Sequence, residues 1–593
     1  MSWRGSPDRE QIEGLLQTLE TLLTSSFLGV RRLSDEELAR LSNRKPIRGW
    51  RLPHRDPIPE LDVFVTEGFP YSLPRVALAV AERDVPHSES DGTLCIENER
   101  ATFAHGSPEA VLQDQLLRAF ALLEANARKE HDLDFLNDFE RYWAHYTDST
   151  QVNVITLLKG RLTTRTAFAA PYHDKMVVSD DFEEAVGWLR NCYPTSNVEG
   201  RKIQVVIAQI DEILKPSEYP SSAEQLLNLF ERLNPHAAML LRQVGKDYPE
   251  LAAAMLVFPR KDRPEAQGAM ILTRTTSRAK QKRDARRVGR EPRVEDGRLW
   301  ISNSKLAKLA VRRGDAAWVH GRYLDPLLPA LQDRRVCVIG AGALGSGVAL
   351  SLSQAGIVDL LLIDPDRLDT ANLSRHVLQA ENIGQNKAIK TVAHIRQVLP
   401  HNFASESWQG TWQELWDKQP DAIRTSDLIV CVTGNWTSDV QLSDLQKSGD
   451  SLPPIIFGWV EPFAAVGHAV LLGKTGSCLR CQFGDSGESD VQVTDWPAGD
   501  VDALTCGALH TPFGAAAMSF TASMIATMAV DSLVDSPKFG EWRIWSAGDQ
   551  RIRAWGGQVR PQWINTFGDI GADPRIRTQT WKKSGICLAC RGS

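Results

Sequence analysis

Val336-Cys337-Val338-Ile339-Gly340-Ala341-Gly342-Ala343-Leu344-Gly345 is the stretch whose reading decides the C-terminal half of the chain. Four apolar residues predict a buried strand, the glycines match G-x-G-x-x-G, Gly345 to Ala355 predicts a helix, and Asp359 to Ile363 predicts the next strand. That order is a βαβ unit, which requires a parallel sheet. The first glycine permits the tight turn, the second lets backbone approach a phosphate, and the third lets the helix pack on the strand, while the helix N-terminus favours an anion. Asp364 follows Gly340 by 24 residues, at the end of the second strand, where a carboxylate can accept from ribose hydroxyls. Taken alone, the unit fits NAD as well as ATP.

The next residues discriminate between them: Asp364-Pro365-Asp366, then Asn372-Leu373-Ser374-Arg375-His376, then Gly384-Gln385-Asn386-Lys387-Ala388. A dehydrogenase needs a hydride site, whereas Arg375 and Lys387 are cations suited to a triphosphate and to a transition state gaining negative charge. From roughly Arg322 to Arg591 the chain resembles ubiquitin-activating enzymes and their bacterial relatives that activate sulfur-carrier proteins. The resemblance implies a Rossmann-like adenylation domain using ATP and Mg2+, with Asp364 on ribose and Asn372, Arg375 and Lys387 on phosphates. It also implies a homodimer, with Arg322 as the arginine contributed across it. The alternative is a set of surface charges on an unrelated Rossmann domain. In one respect the sequence departs from the family, which places an Asp-Asn pair after the fourth strand to hold magnesium. Here the run is Cys431-Val432-Thr433-Gly434-Asn435-Trp436, so Asp439 or Asp366 is the expected substitute.

Two Cys-x-x-Cys pairs, Cys478/Cys481 and Cys587/Cys590, have the spacing at which two tight turns complete a tetrahedral sulfur site. Zn2+ is the expected ion, pinning the C-terminal tail. A redox pair or an iron–sulfur cluster is the alternative, and neither Cys-x-x-Cys lies in a thioredoxin-like βαβ context. Of the other five of nine cysteines, Cys337 and Cys431 fall inside apolar strands and are expected to be inert, and Cys192 has no motif around it. Cys506 lies in the polar loop Asp502-Ala503-Leu504-Thr505-Cys506-Gly507-Ala508-Leu509-His510, ahead of a helix expected over Ala515 to Ser532. A thiol there can be activated at the helix entrance or by His510. The resemblance to activating enzymes is compatible with Cys506 as the thioester cysteine; the bland reading is a plain loop cysteine.

Toward the N-terminus, helical spacing spans Asp8 to Leu23, strands are expected at Leu61 to Thr66 and Arg75 to Val80, and helices at Pro108 to Ala127 and Asp132 to Tyr146. Between them runs Val85-Pro86-His87-Ser88-Glu89-Ser90-Asp91-Gly92-Thr93-Leu94-Cys95-Ile96, downstream of the Pro-rich turn Phe69 to Pro74. This order resembles a ubiquitin-conjugating enzyme with Cys95 as its thiol, although the family's His-Pro-Asn is not intact, so oxyanion stabilisation is expected from backbone amides or another side chain, His87 being one candidate. The alternative is a buried cysteine in an α+β module.

The middle of the chain is expected to hold strands Ile203 to Ile210, Ala253 to Phe258 and Ala269 to Thr273 and a helix Ala223 to Leu233. Ser277 to Arg293, dense in Lys and Arg, is expected to be a solvated loop, with nucleic-acid binding as the lesser alternative. The whole is a multidomain α/β and α+β chain: a ubiquitin-conjugating-like α+β domain over 1–150, a small connecting α+β domain over 151–320, and a Rossmann-like adenylation domain with a zinc site over 321–593. Its 593 residues exceed one hydrophobic core, and 42% hydrophobic residues, 24% charged residues and a net charge of −6 exclude a disordered protein or a nucleic-acid scaffold. No apolar run approaching a membrane span and no signal-peptide core are read, so a cytoplasmic location is expected.

The pairing of both modules resembles the bacterial fusion family of CBASS antiphage operons, CD-NTase-associated protein 2. It implies that the C-terminal tail of a protein modifier, a cGAS-like nucleotidyltransferase, is adenylated, carried on Cys506, passed to Cys95 and joined to an acceptor protein or small-molecule amine. A sulfur-carrier adenylyltransferase, or an adenylating enzyme whose N-terminal domain only recruits a partner, are the alternative functions.

Overall fold

The computed structural model describes residues 9–96, 107–148, 152–159, 162–198, 201–247, 251–261, 264–274, 301, 303–322, 324–449, 452–483, 491–497, 514–585, 587 and 590. The chain divides into two compact units, Met1–Ala185 with Gly200–Arg313, and Val186–Glu199 with Gly314–Ser593.

The first unit opens with a four-stranded antiparallel sheet, in the order Arg31–Arg32, Pro46–Leu52, Leu61–Thr66, Arg75–Leu78. Alternate residues of its strands, Val63, Val65, Val76 and Leu78, form one core with Leu16, Leu19 and Leu23 of helix Arg9–Ser26 and Leu112, Leu116, Ala119 and Leu123 of helix Pro108–Ala127. The second helix begins where the sequence dictates: Ser107 accepts from the Ala110 N–H at 3.2 Å and Pro108, which has no N–H to lose, starts the first turn.

A second sheet follows with eight strands, in the order Ser304–Leu309, Ala266–Arg274, Leu251–Phe258, Ile203–Gln209, Arg165–Tyr172, Lys175–Ser179, Asn153–Thr156, Val311–Arg313. The connecting region is therefore a wide mixed sheet, of which the sequence reading identifies three strands. Helices Ala223–Leu233 and Pro235–Asp247 contribute Leu226, Phe230, Leu241 and Val244 to one of its cores. The stretch read as one helix from Asp132 to Tyr146 is two short helices, Asp134–Asn137 and Phe139–His145, and their aromatic residues belong to that same core. Trp143 stacks on Phe139 and donates from Nε1 to the Leu309 carbonyl at 2.9 Å. Gly268 lies under the indole, where a β carbon would come within 2.9 Å of the ring.

The second unit holds an eight-stranded sheet in the order Glu406–Trp408, Asp359–Ile363, Arg335–Ile339, Leu428–Cys431, Ile455–Val460, Val466–Leu472, Glu541–Ser546, Arg575–Thr580. The first five strands run parallel and the last three antiparallel. The chain leaves Arg335–Ile339 toward one edge and returns to its other side at Leu428–Cys431, so the strand order reverses there. In open α/β sheets, ligands bind at the carboxyl ends of strands flanking such a reversal. Helix Ala515–Val534 is long and apolar enough, by length and composition, to cross a membrane, which corrects the sequence reading that no such run exists. It packs as a core helix, with Met518, Ala522, Ile525 and Ala529 buried against Val348 and Leu352 of helix Ala343–Gln354.

Candidate functional site

The glycine-rich turn sits at this reversal, and the backbone requires glycine at two of its three glycine positions. Gly340 has φ +96°, and a β carbon there would lie 2.8 Å from the Val432 carbonyl oxygen. A β carbon at Gly345 would lie 1.8 Å from the Gly340 carbonyl oxygen, so only glycine lets the helix start this close to the strand. At Gly342 a β carbon would meet nothing within 4 Å, so open space adjoins the backbone at the helix N-terminus.

Asp364 is buried, and its Oδ2 accepts from the Ala341 N–H at 2.6 Å while Oδ1 accepts from the Asp366 N–H at 2.7 Å. The carboxylate thus ties the glycine turn to the following loop, and burial raises its pKa above the ordinary carboxylate value. Asp366 is two-thirds exposed and pairs through Oδ2 with Lys387 Nζ at 3.0 Å. Arg375 lies on the loop after the short helical turn Thr370–Asn372, its Nη1 donating to the Ala371 carbonyl at 2.6 Å, and the Asn372 side chain accepts from the Asp369 N–H at 3.0 Å. Arg322 is exposed, with φ +49°.

Two residues without a sequence-assigned role brace this loop. His376 is buried, with Nε2 2.7 Å from the Ala341 carbonyl and Nδ1 accepting from the Leu378 N–H at 3.1 Å, and burial lowers its pKa. Asn386 donates to the Asp364 and Asp366 carbonyls at 2.9 and 3.0 Å and caps helix Lys387–Val398. Both lie inside the quoted motifs; the signal for Asn386 was a capping residue type directly before a helix. Of the expected substitutes for the missing Asp, Asp439 is engaged: its Oδ1 accepts from Thr433 Oγ1 at 2.5 Å and from the Cys431 thiol at 3.1 Å, and burial raises its pKa. At Gly434, φ is +66° and a β carbon would meet nothing within 4 Å.

Cys478, Cys481, Cys587 and Cys590 converge, with sulfur separations of 3.7 Å (Cys478 to Cys481), 3.5 Å (Cys478 to Cys587) and 3.6 Å (Cys481 to Cys590). Tetrahedral zinc with bonds of about 2.3 Å spaces its sulfurs by about 3.8 Å, while a disulfide needs about 2.05 Å. The donor set therefore fits a four-thiolate metal site. The Trp581 indole donates to the Cys478 carbonyl at 2.9 Å and orients the first pair.

Cys95 is exposed. Its N–H donates to the His87 carbonyl at 2.7 Å, and His87, at φ +58°, donates its own N–H to the Tyr142 hydroxyl at 2.7 Å. His87 Nε2 and His131 Nδ1 each lie 3.0 Å from Asp134 Oδ2, a trio whose donor atoms could also surround an ion. Burial alone would raise the Asp134 pKa, but hydrogen bonds from His87, Asn137 and His131 bring it below the ordinary value. Tyr142 is buried, which pushes its hydroxyl up to about 12. Cys337 and Cys431 are buried in the sheet, and burial raises the Cys337 thiol to about 12. Cys506 and His510, and the basic stretch Ser277 to Arg293, lie outside the described residues.

Residues 322–539 match the ThiF family and residues 27–152 match prokaryotic E2 family B. The ATP-dependent ubiquitin transferase-like protein Cap2 of Enterobacter hormaechei subsp. hoffmannii (strain UCI 50) is 25% identical over 246 residues, covering 38% of this chain and 39% of that protein. The SAMP-activating enzyme E1 of Haloferax volcanii is 27% identical over 170 residues, 28% of this chain and 60% of that protein. The chain thus spans less than two thirds of the length of each. The structure of Escherichia coli MccB with ATP superposes with a TM-score of 0.32 and 16% identity, over 44% of this chain and 68% of that one.

Proposed function

We propose that this chain, in which a ThiF-family domain follows a prokaryotic E2 family B domain, activates the C-terminal carboxylate of a protein with ATP and passes it through two cysteine thioesters to an amine. The observation that carries this reading is an exposed Cys95 in the same chain as a glycine turn that is open at Gly342 and is tied through Asp364 to the loop carrying the paired Asp366 and Lys387.

In this account Gly340, Gly342 and Gly345 form the phosphate turn and Asp364 both braces it and meets the ribose. Asn372, Arg375 and Lys387 hold the phosphates, lowering the barrier as the carboxylate attacks the α-phosphorus and pyrophosphate departs. Bound Mg2+ would neutralise phosphate charge. Asp366 is its proposed ligand because it is exposed, whereas Asp439 is occupied by Thr433 and Cys431. Cys506 takes the acyl group from AMP, and Cys95 receives it by thiol exchange. The four cysteines hold Zn2+ and pin the C-terminal tail. The chain acts as a cytoplasmic homodimer in which Arg322 reaches the neighbouring nucleotide. The exposed Val319, Leu324 and Leu327 around Arg322 favour such a pairing.

The similarity to Cap2 supports a role in CBASS antiphage defence, with a cGAS-like nucleotidyltransferase as the modifier and a protein or small-molecule amine as acceptor. A sulfur-carrier adenylyltransferase would have no use for an exposed Cys95, and neither would a purely recruiting N-terminal domain. The test is ATP–pyrophosphate exchange with a cGAS-like nucleotidyltransferase carrying a free or an amidated C-terminus. Exchange is expected only with the free carboxylate, and equal exchange with both forms contradicts the reading.

A further inference from the structure

Ser88 and Leu94 form an antiparallel bridge, flanked by hydrogen bonds from the Glu89 N–H to the Thr93 carbonyl at 2.9 Å and from the Cys95 N–H to the His87 carbonyl at 2.7 Å. The bond from the Cys95 N–H thus sets the backbones of His87 and Cys95 side by side, with Cys95 exposed and His87 half-buried.

The His87 ring is held by a carboxylate. Its Nε2 lies 3.0 Å from Asp134 Oδ2, the same oxygen lies 3.0 Å from His131 Nδ1, and Asp134 Oδ1 accepts from Asn137 Nδ2 at 3.1 Å. The backbone is fixed as well, by Tyr142 on the His87 N–H and by Asn126 Nδ2 on the Pro86 carbonyl at 3.0 Å. With Nε2–H donating to the carboxylate, the neutral ring carries its lone pair on Nδ1. Both imidazoles meet the same carboxylate oxygen, so Asp134 holds the two rings together.

We propose that His87, with Asp134 as its positioning residue, is the base that takes the proton of an acceptor amine attacking an acyl group on Cys95. This rests on the reading of Cys95 as a thioester carrier. The amine nitrogen adds to the thioester carbonyl, the C–N bond forms as the C–S bond breaks, and the electron pair leaves with sulfur as the Cys95 thiolate. The amine proton passes to His87 Nδ1 and from there to water. Arg141, which pairs with Glu89 at 2.9 Å, is a cation near Cys95. The arrangement follows the nucleophile, base and orienting carboxylate of other thiol enzymes, and it supplies a polar group where the conjugating family's Asn is missing.

The test uses the full chain with Cys192→Ser and Cys506→Ser, acylated on Cys95 by the thiophenyl ester of a Gly-Gly-ended peptide, with the site confirmed by mass spectrometry. Single-turnover discharge is then followed with lysine and with hydroxylamine, which also sheds a proton on acylation but, as a weakly basic α-effect nucleophile, depends far less on a base. General-base catalysis contributes about 10²- to 10⁴-fold. His87→Ala is expected to slow lysine discharge by about 100-fold and Asp134→Asn by about 10-fold, with hydroxylamine discharge changed less than about threefold, added imidazole restoring the His87→Ala rate, and Asp134→Glu retaining more activity than Asp134→Asn. Unchanged lysine discharge in His87→Ala, or equal loss with both nucleophiles and no imidazole rescue, overturns the proposal. Failure of the underlying reading looks different: the acyl-Cys95 of the unsubstituted His87 site would react with lysine no faster than a glutathione thioester.

Discussion

Gly342 and Gly345 are three residues apart in one turn, and the structure predicts opposite consequences for the same substitution at each. Gly342 has φ −71° and ψ −161°, an extended conformation open to alanine, and a β carbon there meets nothing within 4 Å. Gly342→Ala should therefore leave the apo fold intact, and by restricting the unfolded chain it should stabilise it by about 0.4–1 kcal/mol. For a unit of this size, that raises Tm by no more than about 4 °C. A β carbon at Gly345 would lie 1.8 Å from the Gly340 carbonyl and 3.0 Å from Val432 Cγ2, so backbone must move. Overpacking of this kind costs about 1–3 kcal/mol, and Tm should fall by several degrees. If phosphate approaches the backbone at Gly342, the added methyl occupies the space it needs. Losing one hydrogen bond to a charged group costs about 1.5–3 kcal/mol, a 10- to 150-fold loss of ATP affinity. Thermal melts of the apo proteins and calorimetric titration with ATP measure both quantities. Wild-type ATP affinity in Gly342→Ala, or destabilisation equal to that of Gly345→Ala, would refute this assignment of the turn.

Arg375→Ala should reduce ATP–pyrophosphate exchange by a factor corresponding to about 2–4 kcal/mol of lost transition-state stabilisation, and undiminished exchange removes Arg375 from the site. Elemental analysis should find one zinc per chain, released when the last seven residues are deleted; no zinc, or zinc retained after the deletion, rules out the four-cysteine site. His376 is held below the ordinary histidine pKa of about 6.5 by burial, so the unfolded chain takes up a proton that the folded one resists. Its contribution to stability is fully present above pH of about 6.5 and is lost as pH falls through the folded value; melts of His376→Gln, which keeps a donor toward Ala341, should show a shallower acid slope than wild type, and an identical slope rejects the assignment.

The Rossmann half was legible because its signals are local. The apolar run, the glycines and the second strand lie within 30 residues, and strand Asp359–Ile363 has the bounds read from sequence. Helix Pro108–Ala127 was equally legible, being bounded by its own cap at Ser107. The eight-stranded sheet of the connecting region was mostly missed, since strands such as Ser304–Leu309 are short and half-exposed and pair with partners far away in sequence. The aromatic face of Phe139 and Trp143 was visible, but nothing near it shows that its partner is Gly268 or the Leu309 carbonyl. In the site, the charged and glycine residues were legible by type and spacing. The roles of His376, Asn386 and Asp134 were not, because each acts through a backbone carbonyl or an imidazole that only the fold brings near.

The central claim is a relay of one acyl group from Cys506 to Cys95, and intact-protein mass spectrometry of chains incubated with ATP and the modifier tests it most directly. Wild type should carry modifier on both cysteines. Cys506→Ala should carry none while still releasing pyrophosphate, and Cys95→Ala should accumulate modifier on Cys506 and form no final conjugate. Modifier found on Cys95 in the Cys506→Ala chain would mean direct transfer from the adenylate, and the two-cysteine relay would be contradicted.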